Sequence, residues 1–174
     1  MNSPLFFSTT DQTFYDVTAA GVVTATASET QAAGCVLPAN TFSVAGRNIR
    51  IRYQGIQTAV NGTDTLTVKV RFGAASLSGT VIVNGAATTG AVNNVFSGDV
   101  LITARAAAGA AVACVADATY SELALIASSA FKKARMASTN FATNAPLVIE
   151  VTLQFQSASA GNSAQVDQFS VEFL

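Results

Sequence analysis

Histidine and tryptophan are absent from this chain, and only two cysteines and three prolines occur among its 174 residues. Without histidine there is no proton shuttle poised near neutral pH and no Cys/His set for zinc, so acid–base work would fall to carboxylates. The ten Asp and Glu residues are scattered singly, and no pair can be placed on one face from the pattern. A Gly-rich phosphate loop between a strand and a helix is missing as well. The sequence therefore predicts no catalytic residues, no cofactor and no metal, and a protein that is not an enzyme. "NGTD" at 61–64 offers oxygens for calcium, but its first reading is a turn.

Charge is scarce too. Asp, Glu, Lys and Arg make up 11% of the chain, against about 25% in ordinary domains. Nine basic and ten acidic residues give a net charge of -1, so there is no footprint for a phosphate backbone and nucleic acid is not an expected partner. Long hydrophobic runs are lacking. The opening "MNSPLFFSTT" has only Leu5, Phe6 and Phe7 together and no basic lead, too little for a signal core or a membrane span, and Arg105 interrupts the small-apolar stretch at 100–116. No membrane partner is expected, and synthesis and folding in a cytoplasm follow. Cys35 and Cys114 each sit in an apolar run and are expected as reduced, buried thiols. A disulfide would require their strands to face each other, which the sequence leaves open.

What the chain does have is hydrophobicity, 50% of it, much as small Ala and Val. A chain of this length can bury roughly 70% of its unfolded surface and needs no staple. Low-charge Ala, Ser, Thr and Asn faces suit close packing against copies of itself or another protein. An Ala-rich domain without such contacts is the plainer alternative.

Between regular turn signals the runs alternate with period two, the pattern of a sandwich or barrel. Candidate strands are 13–17, 21–26, 35–37, 48–57, 65–72, 80–83, 95–106, 110–120, 147–156 and 164–173. In the penultimate one, Leu147, Ile149, Val151, Leu153 and Phe155 form a core face, while Val148, Glu150, Thr152, Gln154 and Gln156 form a surface face. In the last, Ala164 and Val166 are out of phase with Phe169, Val171 and Phe173, so a bulge near Asp167 and Gln168 must reset the register. A Ser/Gly/Asn turn joins these two as a hairpin. Residues 118–136 are ambiguous: a strand extension followed by a loop carrying Lys132, Lys133 and Arg135, or a short helix with Thr119 and Glu122 as a capping box. The fold class is all-β, a single-domain antiparallel β-sandwich of about eight to ten strands. An N-terminal arm covers 1–12 and the sandwich 13–174.

Two features suggest partner contact. If the strands at 48–57 and 65–72 pair through "NGTD", Arg50, Arg52, Lys69 and Arg71 share one outward face that could dock an acidic surface or an anionic glycan. The plainer reading is a solvated face with carboxylates nearby. The second is the basic cluster Lys132, Lys133 and Arg135, expected as a solvent-exposed loop, with partner contact the weaker reading.

The order "LPANTFSVAGRNIRIRYQG", "TLTVKVRFG", "VFSGDVLITARA" and "PLVIEVTLQFQSASAGNSAQVDQFSVEFL" resembles a jelly-roll module of structural proteins of tailed bacteriophages, over residues 20–174. Its marks are Pro38 to Thr41 before a strand, the alternating basic strand from Gly46 to Tyr53, and Gln168 to Leu174 at the end. The resemblance implies a jelly-roll sandwich, commonly a homotrimer, on the virion. There it would act as a capsid decoration (cement) protein bound to the major capsid protein, or else as a receptor-binding part of a tail or head fibre. A short single domain fits decoration, as does an uncharged arm whose Leu5, Phe6 and Phe7 would anchor on a neighbour, the plainer reading being that they cover the edge of their own sandwich. Absence of Trp, with only Tyr15, Tyr53 and Tyr120 available as platforms for sugars, and no room for a shaft weigh against a fibre.

Overall fold

The computed structural model describes residues 22–58, 64–85, 88–89, 94–122 and 132–174. Its described residues form eleven antiparallel strands and no helix. They are β1 (Val23–Thr24), β2 (Thr30–Leu37), β3 (Asn48–Thr58), β4 (Thr65–Gly73), β5 (Thr80–Asn84), β6 (Thr88–Thr89), β7 (Asn94–Ala104), β8 (Val112–Glu122), β9 (Lys132–Phe141), β10 (Leu147–Phe155) and β11 (Ser163–Phe173).

Two sheets result. Sheet A has the order β1-β11-β3-β7-β8-β9, and sheet B the order β2-β10-β4-β5, with β6 also on β4. Nested pairs explain the topology: β1 with β11, β2 with β10, β3 with β7 and β4 with β5 are the rungs of one long folded hairpin. Rolling that hairpin up sets β11 beside β3 and β10 beside β4, which is a jelly roll. The β8–β9 pair is an extension on the β7 side of sheet A.

Period-two alternation supplies the core. Ile49, Ile51 and Tyr53 of β3, and Val166, Phe169 and Val171 of β11, face Leu66, Val68, Val70 and Phe72 of β4 and the apolar face of β10, all nearly fully buried. Each such side chain contributes about 1.5–3 kcal/mol. At one end Phe72 packs edge-on to Phe42 and tilted against Phe141, with ring centroids 6.1 and 4.6 Å apart. The expected bulge in β11 is present between Val166 and Gln168, returning Phe169 to the core face.

Four expectations need correction. The last two strands are not a hairpin: β10 lies between β2 and β4, while β11 lies between β1 and β3 in the other sheet. Both apolar faces are served better by meeting across the core than by lying side by side. The polar face of β10 is not surface either, since Glu150 and Thr152 are 1% and 0% exposed. Residues 132–141 form strand β9, not a loop, and the strand extension in β8 runs to Glu122. The capping box of the helical alternative does not form, because Thr119 and Glu122 lie in β8; the arm at 1–12, the strand at 13–17 and residues 123–131 lie outside the described residues.

Candidate partner-contact faces

Alternation sends every second side chain of β3 and β4 outward, but the two strands do not pair. β3 bonds to β11 and β7, and β4 to β10, β5 and β6. Their apolar faces oppose each other across the core, so their cations point in opposite directions. Arg50 and Arg52 stand on sheet A, Lys69 and Arg71 on sheet B, and the single four-cation face does not form.

On sheet B, Glu29 lies over the strands from the segment before β2. Arg71 Nε and Nη2 donate to its two carboxylate oxygens at 2.6 and 2.8 Å, Lys69 Nζ donates at 2.8 Å, and Thr152 Oγ1 at 2.6 Å. Arg71's hydrogen bonds, opposed by burial and helped by Lys69 and Thr152, pull the Glu29 carboxyl down from 4.5 to about 2. Glu150, two residues along β10 from Thr152, accepts from Ser76 Oγ at 2.6 Å and from the Leu77 amide at 2.5 Å. The turn carrying them holds Leu77 at φ 59°, a left-handed conformation unusual for leucine. Segment 25–29 and turn 74–79 thus cover the polar face of β10 and saturate its charges.

On sheet A, Arg50 Nε donates to both oxygens of Asp99 at 3.0 Å, and a further bond joins the Arg50 Nη2 to Asp99. Arg52 is held more loosely, 3.7 Å from Asp99 and 3.4 Å from Glu172, with 48% of its side chain exposed. Beside this row a groove of about 620 Å³ crosses four strands at positions 168–170, 52–54, 97–99 and 119–121. On β9 the exposed Arg135 stands 3.6 Å from Asp117 of β8.

A third polar cluster closes one end of the sandwich. Asp64 accepts from Ser157 Oγ at 2.6 Å and from Asn162 Nδ2, bonds that hold its carboxyl below the usual range. Asp64 is thereby engaged by side chains; Asn61, Gly62 and Thr63 lie outside the described residues, as do Leu5, Phe6 and Phe7.

Sequence reasoning named the four cations but missed their partners. Asp99, Glu172 and Glu29 each lie close in space to a cation distant along the chain, and only the strand order brings each pair together. Cys35 and Cys114 are free thiols on different sheets, and burial pushes both up to about 11. Among the described residues no group of three His, Cys, Asp or Glu could hold a metal ion, and no helix is long and apolar enough to cross a membrane.

No family model and no curated protein match the chain. A chain in the structure of infectious bursal disease virus Gx strain is similar at 13% identity and TM-score 0.29, over 94% of this chain and 38% of that one. This chain therefore spans well under half of that chain's length, and a likeness of that size carries no argument about function.

Proposed function

We propose that the chain is a non-enzymatic structural protein of a virion, a capsid decoration (cement) protein that binds the outer head and stabilises contacts between capsomers. The observation that carries this reading is the internal neutralisation of both outer faces: Glu29 engages Lys69 and Arg71, while Asp99 and Glu172 engage Arg50 and Arg52. A stiff jelly roll with faces of low net charge suits broad packing on a protein lattice, where unpaired charge would have to be desolvated. The resemblance of residues 20–174 to phage jelly-roll modules supports the same placement.

The major capsid protein is the proposed partner, with three copies meeting as a homotrimer and the Leu5, Phe6 and Phe7 arm crossing a neighbour. Its mechanism is mechanical: each added contact must break before the pressurised shell opens. Immunogold labelling of virions and thermal challenge of particles with and without the protein test it. Label over the head and earlier rupture of bare particles are expected. Label confined to the tail tip overturns head placement in favour of the second reading, a fibre adsorption module, which the groove on sheet A favours.

A further inference from the structure

We infer that the groove across sheet A is a binding site for a neutral oligosaccharide. Its volume of about 620 Å³ lies within the range of ligand sites, roughly 300–1,000 Å³. The chemistry of its walls narrows the occupant. Gln54 and Gln168 stand exposed at the rim and offer an amide donor and acceptor each. Ser97 and Ser121 face each other with their oxygens 2.8 Å apart, and either can donate. Arg52 and Asp99 add one cation and one anion, so the lining carries no net charge.

Hydroxyls of a sugar donate and accept together, and a lining of amides and hydroxyls meets both needs without desolvating an unpaired charge. Arg52 has donors to spare, since its contacts to Glu172 and Asp99 are 3.4 and 3.7 Å long. An inserted apolar anchor from a protein is a poorer fit for the groove itself. The rings at this level, Tyr53, Tyr120 and Phe169, are at most 3% exposed and belong to the core, so an occupant is held by hydrogen bonds and not by ring stacking. The lining positions lie side by side on four adjacent strands, β11, β3, β7 and β8, so an occupant of more than one sugar unit would lie across the strands. The site goes beyond the decoration role and is open to either placement on the virion, because it lies on one outer face.

The test is an immobilised panel of neutral glucan, mannan, galactan and N-acetylhexosamine fragments, with uronic-acid fragments alongside, probed with the full chain. Amide shifts on titrating the best neutral fragment should concentrate at 52–54, 97–99, 119–121 and 168–170. Gln54→Ala and Gln168→Ala should weaken binding about tenfold together. Ser121→Tyr should abolish it by filling the floor, whereas Asn140→Ala on β9 should leave it unchanged. Binding should persist at high salt. An empty panel, binding insensitive to the three groove variants, or retention of acidic fragments alone that salt removes would each overturn the proposal. Loss of particle binding in Gln54→Ala and Gln168→Ala without any sugar binding would overturn it too, assigning the groove to the capsid; failure of particle binding by the native protein would instead strike only the decoration role.

Discussion

Tyr53 lies across Gly98, its cross-strand partner in the β3–β7 ladder, so closely that a Cβ on residue 98 would meet the Tyr53 Cζ, Oη and Cε1 far inside contact distance. Two residues along the same ladder the relation is reversed, with Phe96 lying over Gly55. Each ring replaces the side chain its opposite residue lacks, so the pair of strands stays covered where glycine would weaken it.

Gly98→Ala should therefore lower stability by about 1–3 kcal/mol through overpacking, since Gly98 has no left-handed φ and the cost is steric alone. Urea denaturation checks it. The double change Gly98→Ala with Tyr53→Leu should recover part of the loss, because the colliding ring is removed.

Glu29 makes stability depend on acid. Its folded carboxyl titrates at about 2 against 4.5 for the unfolded group, so the folded state binds fewer protons. The stabilisation is fully present above pH 4.5 and is lost as pH falls toward 2. Glu29→Gln should cost about 2 kcal/mol at neutral pH by leaving Lys69 and Arg71 short of a counter-ion. The difference between native and variant proteins should vanish near the acid end of a pH series of denaturation midpoints.

Gln57 is wholly buried in β3, and among the described residues neither atom of its amide has a hydrogen-bond partner. Desolvating an unanswered amide costs about 1–3 kcal/mol. Gln57→Leu, of similar size, should raise the thermal midpoint, and an unchanged or lowered midpoint would show that the amide is used.

Neither thiol should react readily in the native state. Both are pushed up to about 11 by burial, which leaves little thiolate near neutral pH. Half-buried Cys35 should be modified before fully buried Cys114, and both at once after unfolding in denaturant, as read by mass spectrometry.

The strands were legible wherever one face is apolar and the other polar. β3, β4, β7 and β11 follow their alternation closely, and even the bulge at Asp167 shows as a phase slip between Val166 and Phe169. β9 was missed because its sequence KKARMASTNF offers only Met136 and Phe141 as clear core residues. Sheet membership was hidden for a different reason: alternation says which side chains share a face, not which neighbour lies alongside. Hence β10 and β11 read as a hairpin, and the four cations read as one patch. The groove was illegible altogether, because its walls come from four strands whose order the pattern does not contain.

The bond between Arg52 and Glu172 spans 120 positions, and it sits in the ladder that joins β3 to β11. Until residues 163–173 have left the ribosome, β3 has only β7 beside it and sheet A stays open along its middle. Such non-local closure is slow and leaves sticky intermediates. Folding of this chain is then paced by how quickly completed chains roll up, and the half-made sheets, with β3 unpaired along one edge, are where association between chains would begin.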